Sequence, residues 1–211
     1  MIRVLLVDDH AVVRTGFRLL LQANPQVAVV GEADSGEAAC QRYVELSPDV
    51  IVMDIAMPGM GGIEALRRIR AHDPQARVLA LSAHDDSMHA RRALREGALG
   101  FLSKRSAPEA LLEAIAQVAV RKRYIDPRVA QTLALEDLEG AESSPIRRLS
   151  EREFDVFIRL ARGASVQRIA EDLKLSASTV GTHLYNIKQK LGVSNQSELT
   201  LLAIRHGLIE A

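Results

Sequence analysis

Three carboxylates, a hydroxyl and an ammonium stand at the ends of short apolar runs in the first half of this chain. Arg3 to Val7 stops at Asp8-Asp9, Val50 to Met53 at Asp54, Val78 to Leu81 at Ser82, and Leu99 to Leu102 just before Ser103-Lys104. Taken singly, Asp8 and Asp9 read as helix caps, Asp54 and Ser82 as turn residues, and Lys104 as a solvated lysine. Taken together they describe one chemistry. Two carboxylates about 4 Å apart repel by about 4 kcal/mol at an effective dielectric near 20, so three together call for a cation. Hard oxygen donors with room for water suit Mg²⁺, which is held by one or two carboxylates plus phosphate oxygens. A metal and Lys104 would neutralise a phosphoryl group arriving at Asp54, and the Ser82 hydroxyl would donate to it. An aspartate is a competent nucleophile for that group and gives an acyl phosphate.

The elements that must position these residues repeat along the chain. The apolar run at residues 3 to 7 is followed by Val12, Val13, Phe17, Leu20 and Leu21 near helical spacing. The unit recurs as Val27 to Val30 before a helix from Gly36 to about Glu45, and as Val50 to Met53 before a helix from about Gly62 to Arg70. It continues with Val78 to Leu81 before a helix from about Asp86 to Glu96, and with Leu99 to Leu102 before a helix from Pro108 to about Val120. Five strands alternating with five helices, without hairpin turns and with little polar alternation, predict a doubly wound α/β domain. Its five-stranded parallel sheet is covered on both faces. In such sheets chemistry gathers at the carboxyl ends of the strands, where all five residues fall.

Composition narrows the class. No run approaches the length of about 20 apolar residues that spans a bilayer, and Met1-Ile2-Arg3-Val4 leads straight into a strand pattern, so no membrane partner and a cytoplasmic location are expected. Cys40 is the only cysteine; it excludes an internal disulfide or a multi-cysteine zinc site and reads as a small packing residue. The net charge of zero argues against a general polyanion binder. It hides an asymmetry, because residues 146 to 211 carry 10 Lys+Arg against 7 Asp+Glu while residues 1 to 120 carry 13 against 15. Nucleic-acid contacts belong in the C-terminal part.

Between the two, residues 121 to 146 loosen into a linker. Arg121-Lys122-Arg123 reads as a solvated helix end, Asp126-Pro127 opens a short helix to about Leu135, and the acidic Gly- and Ser-containing run from Glu136 to Pro145 reads as a tether. Ser150-Glu151-Arg152-Glu153 is then a capping box ahead of Phe154, Phe157, Ile158 and Ala161. A second helix runs from Val166 to Leu173. A third, capped by Ser176, buries Val180, Leu184, Ile187 and Leu191 and ends at Gly192, and a fourth runs from about Gln196 to Arg205. A short helix, a tight turn and a polar-faced longer helix predict an all-α helix-turn-helix domain over residues 147 to 211.

These residues carry a resemblance. Asp8-Asp9, Asp54 with Met57-Pro58-Gly59, Ser82-Ala83 and Gly100-Phe101-Leu102-Ser103-Lys104 resemble the receiver domain of bacterial two-component response regulators, over residues 1 to 120. Leu149-Ser150-Glu151-Arg152-Glu153, Ile169-Ala170-Glu171-Asp172-Leu173, Ser178-Thr179-Val180-Gly181-Thr182-His183 and Lys190-Leu191-Gly192-Val193 resemble the LuxR-type DNA-binding domain. Together they resemble the NarL/FixJ class, which are transcription factors rather than enzymes, apart from the phosphotransfer and dephosphorylation a receiver catalyses on itself. The resemblance implies that Asp54 is the phosphoacceptor. Asp8, Asp9, Asp54 and the Ala56 carbonyl would hold Mg²⁺, and Ser82 and Lys104 would bind the phosphoryl oxygens. Ser82 and Phe101 would act as the switch.

The resemblance also implies partners. A sensor histidine kinase donates the phosphoryl group, double-stranded DNA is the target, and RNA polymerase is a further contact it admits. In the third helix of the second domain, Thr182 and Tyr185 would read bases, with Ser178 and Gly181 on the same face. Thr179, His183, Lys188 and Lys190 would contact phosphates. With so modest a positive charge, paired half-sites and a homodimer are expected, through Leu199, Leu202 and Ala203 of the fourth helix.

Departures from the pattern matter too. Arg105 follows Lys104 where many receivers have proline, leaving that peptide's geometry open. Ala56 and His84 stand where the family tunes loss of the phosphoryl group; Ala56 has no polar side chain to orient water, so the phosphorylated state is expected to outlast seconds. Gly181 and Gln196 replace cationic residues common in relatives. Two alternatives stay open at this point. The receiver could serve as a phosphate-independent dimerisation module, or Asp54 could be the nucleophile of a phosphatase, for which Ala56 lacks the general acid.

Overall fold

Parallel pairing of strands that each bury both faces organises the first half of the molecule. A computed structural model describes residues 1–83, 87–138, 145–206 and 208–209, and its contacts divide into two units, Met1–Leu135 and Glu136–Ala211. In the first, strands β1 (Ile2–Val7), β2 (Val27–Ala33), β3 (Val50–Asp54), β4 (Val78–Ser82) and β5 (Gly100–Ser103) alternate with helices α1 (Ala11–Gln22), α2 (Gly36–Leu46), α3 (Gly62–His72), α4 (Ser87–Arg95) and α5 (Pro108–Ala119). All strand pairs are parallel in the order β2-β1-β3-β4-β5, and a two-residue strand β6 (Tyr124–Ile125) adds itself beyond β5. The chain reverses its direction of growth between β1 and β3, the place where open sheets of this kind form their crevice.

Period-two alternation sorts the strand side chains between two cores. Leu5, Val7, Ile51, Met53, Ala80 and Phe101 face α2, α3 and α4, with Leu66 and Ile69 among their neighbours. Val4, Leu6, Val50, Val52, Leu79 and Leu102 face the other way, onto Leu21, Leu111, Ile115 and Val118 of α1 and α5. All of these are buried, and each of them other than Ala80 contributes about 1.5–3 kcal/mol. Cys40 lies half-buried against α3, its thiol 3.9 Å from the Ala65 carbonyl.

The first unit extends past the fifth helix. Residues 121 to 135, where the sequence pattern loosens, supply β6 and the start of α6 (Pro127–Leu138), and Val129 is fully buried in the core. The expected acidic tether includes residues 139 to 144, which lie outside the described residues, as does His84.

In the second unit, helices α7 (Glu151–Ala161), α8 (Val166–Leu173), α9 (Ala177–Leu191) and α10 (Gln196–Arg205) follow a 3₁₀ turn at Pro145–Arg148. Each start is capped by the residue chemistry that suits it. Ser150 and Glu153 form the reciprocal capping box, and Ser165, Ser176 and Asn195 accept from the third backbone N–H of their helices. The turn between α8 and α9 is made by Lys174 in the left-handed region at φ 54°, and Gly192 ends α9 at φ 67°. Phe154 and Phe157, with ring centroids 6.2 Å apart, are buried together with Ile169, Val180, Ile187 and Leu199. Among the described residues no helix is long and apolar enough to cross a membrane.

Candidate functional site

The strand ends deliver the acidic cluster to one edge. β1 and β3 run in register with Val7 opposite Met53, so Asp8 and Asp54 emerge side by side; Ser82 pairs with Ser103, which places Lys104 beside the end of β4. Asp8 and Asp54 are each 2 % exposed, and Ser82 is fully buried. Gly62 opens α3 directly against the end of β3, where an added Cβ would collide with the Asp54 carbonyl. The loop is further fixed by the Ala56 amide, which donates to Asp54 Oδ1 at 2.9 Å. The Lys104 amide donates to the Ser82 carbonyl at 2.7 Å.

Lys104 is the hub. Its Nζ lies 2.6 Å from Asp54 Oδ2 and 2.6 Å from Asp8 Oδ2. Burial pushes the Asp54 carboxyl above the usual range, and the Lys104 ammonium only partly offsets that. Burial also works against the charge on Lys104, but Asp54 and Asp8 outweigh it and raise its pKa. Asp8 Oδ1 accepts from the His10 amide at 2.8 Å, and the His10 ring Nδ1 lies 3.1 Å from Asp9 Oδ1.

One ammonium does not satisfy this cluster. Among the described residues, Asp8 Oδ2 meets the Lys104 ammonium, and Asp9 Oδ1 is buried beside the His10 ring without a well-directed hydrogen bond. Asp8, Asp9, His10 and Asp54 each offer a donor atom within 4.8 Å of the others. Buried carboxylate oxygens with lone pairs to spare fit a hard divalent cation. His10 was not among the residues that sequence reasoning selected; its only signal was its place directly after Asp9. The Lys104–Arg105 peptide is trans. Phe101 is fully buried in the core under α4.

In the second unit, α9 turns a largely polar face outward. Ser178, Thr179, Thr182 and Gln189 are exposed, Tyr185 is 64 % exposed, and Val180, Ile187 and Leu191 point inward. Nothing lies within 4 Å of where a Gly181 side chain would begin.

Models of known families match both halves. The response regulator receiver domain matches residues 4–116, and the bacterial regulatory proteins of the luxR family match residues 147–203. The chain is 42 % identical over 212 aligned positions to the response regulator GacA of Pseudomonas viridiflava, covering all of this chain and 99 % of that one. It is 41 % identical to the response regulator UvrY of Escherichia coli, covering all of this chain and 97 % of that one. The chain is a LuxR-family response regulator.

Solved structures agree on the architecture of this response regulator. A LuxR-family two-component response regulator from Aurantimonas, 42 % identical, matches 65 % of this chain and 99 % of its own with a TM-score of 0.64. RcsB of Salmonella enterica, bound to the rprA promoter in the presence of a phosphomimetic, is 28 % identical and matches 95 % of this chain and 97 % of its own with a TM-score of 0.66.

The structure places three residues of this response regulator in contacts that the sequence-based expectation did not include. Lys190, expected on DNA phosphates, places its ammonium 2.6 Å from Glu153 Oε2, a buried carboxylate that also accepts from the Ser150 amide at 2.7 Å. The pair ties α9 to α7 and leaves Lys190 39 % exposed. Leu199 and Ala203, expected at a dimer contact, are fully buried within their own unit and have no surface to offer. The apolar surface of α10 is Leu201, 54 % exposed, with Leu202 half-buried next to it. Lys188 remains on the surface side of α9, its Nζ donating to the Ser194 carbonyl at 2.8 Å, and His183 is half-buried at the margin.

Proposed function

We propose that this DNA-binding transcriptional response regulator of a two-component system is switched by phosphorylation at Asp54. The observation that carries the reading is the position of the Lys104 ammonium, 2.6 Å from both the Asp54 and the Asp8 carboxylates at the carboxyl edge of the sheet. An Asp54 oxygen attacks phosphorus on a sensor histidine kinase's phosphohistidine. An O–P bond forms, the N–P bond breaks, and the histidine nitrogen leaves with its electron pair and takes up a proton. Lys104 neutralises the added charge, and the Ser82 hydroxyl donates to a phosphoryl oxygen.

Asp8, Asp9, Asp54 and the Ala56 carbonyl are the donors that would hold Mg²⁺. When bound, that ion supplies charge neutralisation between carboxylates and phosphoryl oxygens. Phe101 and Ser82 follow the phosphoryl group as the switch, altering the surface around α4, β5 and α5. A kinase donor and chromosomal DNA together put this action in the cytoplasm.

The output is α9 in the major groove, with Thr182 and Tyr185 facing base edges, Ser178 and Gly181 on the same face, and Thr179, His183, Lys188 and Lys190 facing the backbone. The exposure of this face and the DNA-bound state of RcsB support that reading. A homodimer on paired half-sites forms through Leu201 and Leu202 of α10. Footprinting of the full chain, with and without acetyl phosphate and Mg²⁺, tests the reading: protection strengthened by phosphorylation and absent from Asp54→Asn supports it, and protection indifferent to both contradicts it.

A further inference from the structure

Residues 124 to 135 have no part in phosphoryl chemistry, yet they are tied to its machinery at three places. β6 hydrogen-bonds along β5, the Asp126 amide donating to the Phe101 carbonyl at 2.9 Å. Asp126, 6 % exposed, then divides its carboxylate between two duties. Oδ1 accepts from the Arg128 amide at 3.0 Å and caps the first turn of α6, while Oδ2 accepts from the Ser106 hydroxyl at 2.5 Å. Ser106 lies two residues beyond Lys104, and its own amide donates to the Ser103 carbonyl at 3.1 Å. Farther along α6, Val129 is buried in the cluster that holds Phe101, Leu133 packs against that cluster, and Arg91 Nη2 of α4 donates to the Leu133 carbonyl at 3.1 Å. The boundary between the two units falls inside α6, after Leu135, so the chain enters the second unit from this helix.

We infer that the Ser106–Asp126 hydrogen bond is a latch by which the loop carrying Lys104 holds α6 on the first unit, and that a phosphoryl group on Asp54 opens it. This rests on the phosphorylation proposed above. A cap for α6 needs only one Asp126 oxygen; the second reaches back to the catalytic loop, a contact that capping alone does not explain. A new anion at Asp54 redirects Lys104, whose ammonium now bridges Asp54 and Asp8. Hydrogen bonds weaken steeply with misalignment, so a small shift of the loop breaks the Ser106 contact. Asp126 is then a buried carboxylate that has lost a donor, which favours its movement toward water and loosens the first turn of α6. Ser106 and Asp126 are thus positioning residues that read the phosphorylated state rather than create it.

Hydrogen exchange of the full chain, followed by mass spectrometry with the intact mass measured on the same sample, tests the latch. In the wild type treated with acetyl phosphate and Mg²⁺, one phosphoryl group adds, and amides of residues 128 to 135 exchange on the order of tenfold faster. Ser106→Ala takes up the same phosphoryl group, but its α6 exchanges fast beforehand and changes less than about twofold on phosphorylation. Ser106→Thr retains the hydroxyl and restores the wild-type response. A phosphorylated wild type whose α6 exchange is unmoved, or a Ser106→Ala chain with the full response, overturns the latch while leaving Asp54 as phosphoacceptor. A chain that takes up no phosphoryl group overturns both.

Discussion

The Lys104 ammonium, carried just past the end of β5, reaches across the end of β4 to Asp54 at 2.6 Å, and the same nitrogen holds Asp8 at the same distance. Its side chain is only 12 % exposed, so among the described residues the two carboxylates share one lysine ammonium shielded from water. Lys104→Met leaves them uncompensated. Removing one partner of a buried pair costs about 3–5 kcal/mol, so the variant loses stability of that order in chelator at pH 7 and recovers part of it as Mg²⁺ is added. Chemical denaturation with and without the ion measures it.

Asp54 carries the opposite sign. Burial raises its folded-state pKa, so its protonated form is the one that folding favours. That contribution is fully present below the unfolded carboxylate pKa and is lost as pH rises through the raised folded value. Asp54→Asn, which never ionises, is therefore more stable than the wild type at pH 7 without metal. The gain closes as the pH is lowered toward the ordinary aspartate range. Thermal melts from pH 3 to 7 check both the sign and the window.

Glu153 makes the complementary case in the second unit. Burial pushes its carboxyl up, but the hydrogen bonds from Lys190 and Ser150 outweigh that and lower it. Its stabilisation is present above the unfolded glutamate pKa and is lost as pH falls through the lowered folded value. Glu153→Gln costs the second unit about 1–3 kcal/mol at pH 7, and the deficit disappears in acid.

Gly181 stands on the exposed face of α9 with open space beyond it. Gly181→Lys removes a helix cost of about 1 kcal/mol and adds a cation to the DNA-facing side of α9 on a side chain long enough to reach a phosphate. DNA binding tightens, and the slope of log affinity against log salt steepens by about 0.9. An unchanged slope in fluorescence-anisotropy titrations would place this face away from phosphates.

Two of the leucines of α10, Leu199 and Leu201, separate folding from assembly. Leu199 is fully buried, so Leu199→Asp unfolds the second unit or destabilises it by more than about 3 kcal/mol. Leu201 is half exposed, so Leu201→Asp leaves the fold intact and weakens dimeric binding on paired half-sites. Circular dichroism together with sedimentation on DNA distinguishes the two.

The acidic site was legible because strand ends and turn residues fix it locally: Asp8, Asp54, Ser82 and Lys104 each end an apolar run, and parallel pairing does the rest. The helical unit was legible for a related reason, since Ser150, Ser176 and Gly192 mark helix ends by their own chemistry. What the sequence hid depends on partners far along the chain. A two-residue strand has no period, so β6 is visible only through its pairing with β5. Lys190 reads as a free cation until Glu153, 37 residues away, is folded against it. In α10 the run Leu199-Thr200-Leu201-Leu202-Ala203-Ile204 is apolar nearly all round, so its period does not say which leucines face inward.

The most direct measurement joins the two units in one sample. The intact mass of the full chain after acetyl phosphate and Mg²⁺ is recorded alongside its affinity for a footprinted site. The account predicts one added phosphoryl group located at Asp54, tighter binding as that species accumulates, and neither change in Asp54→Asn. A chain that gains the phosphoryl group elsewhere, or gains it at Asp54 with DNA affinity unaltered, contradicts it.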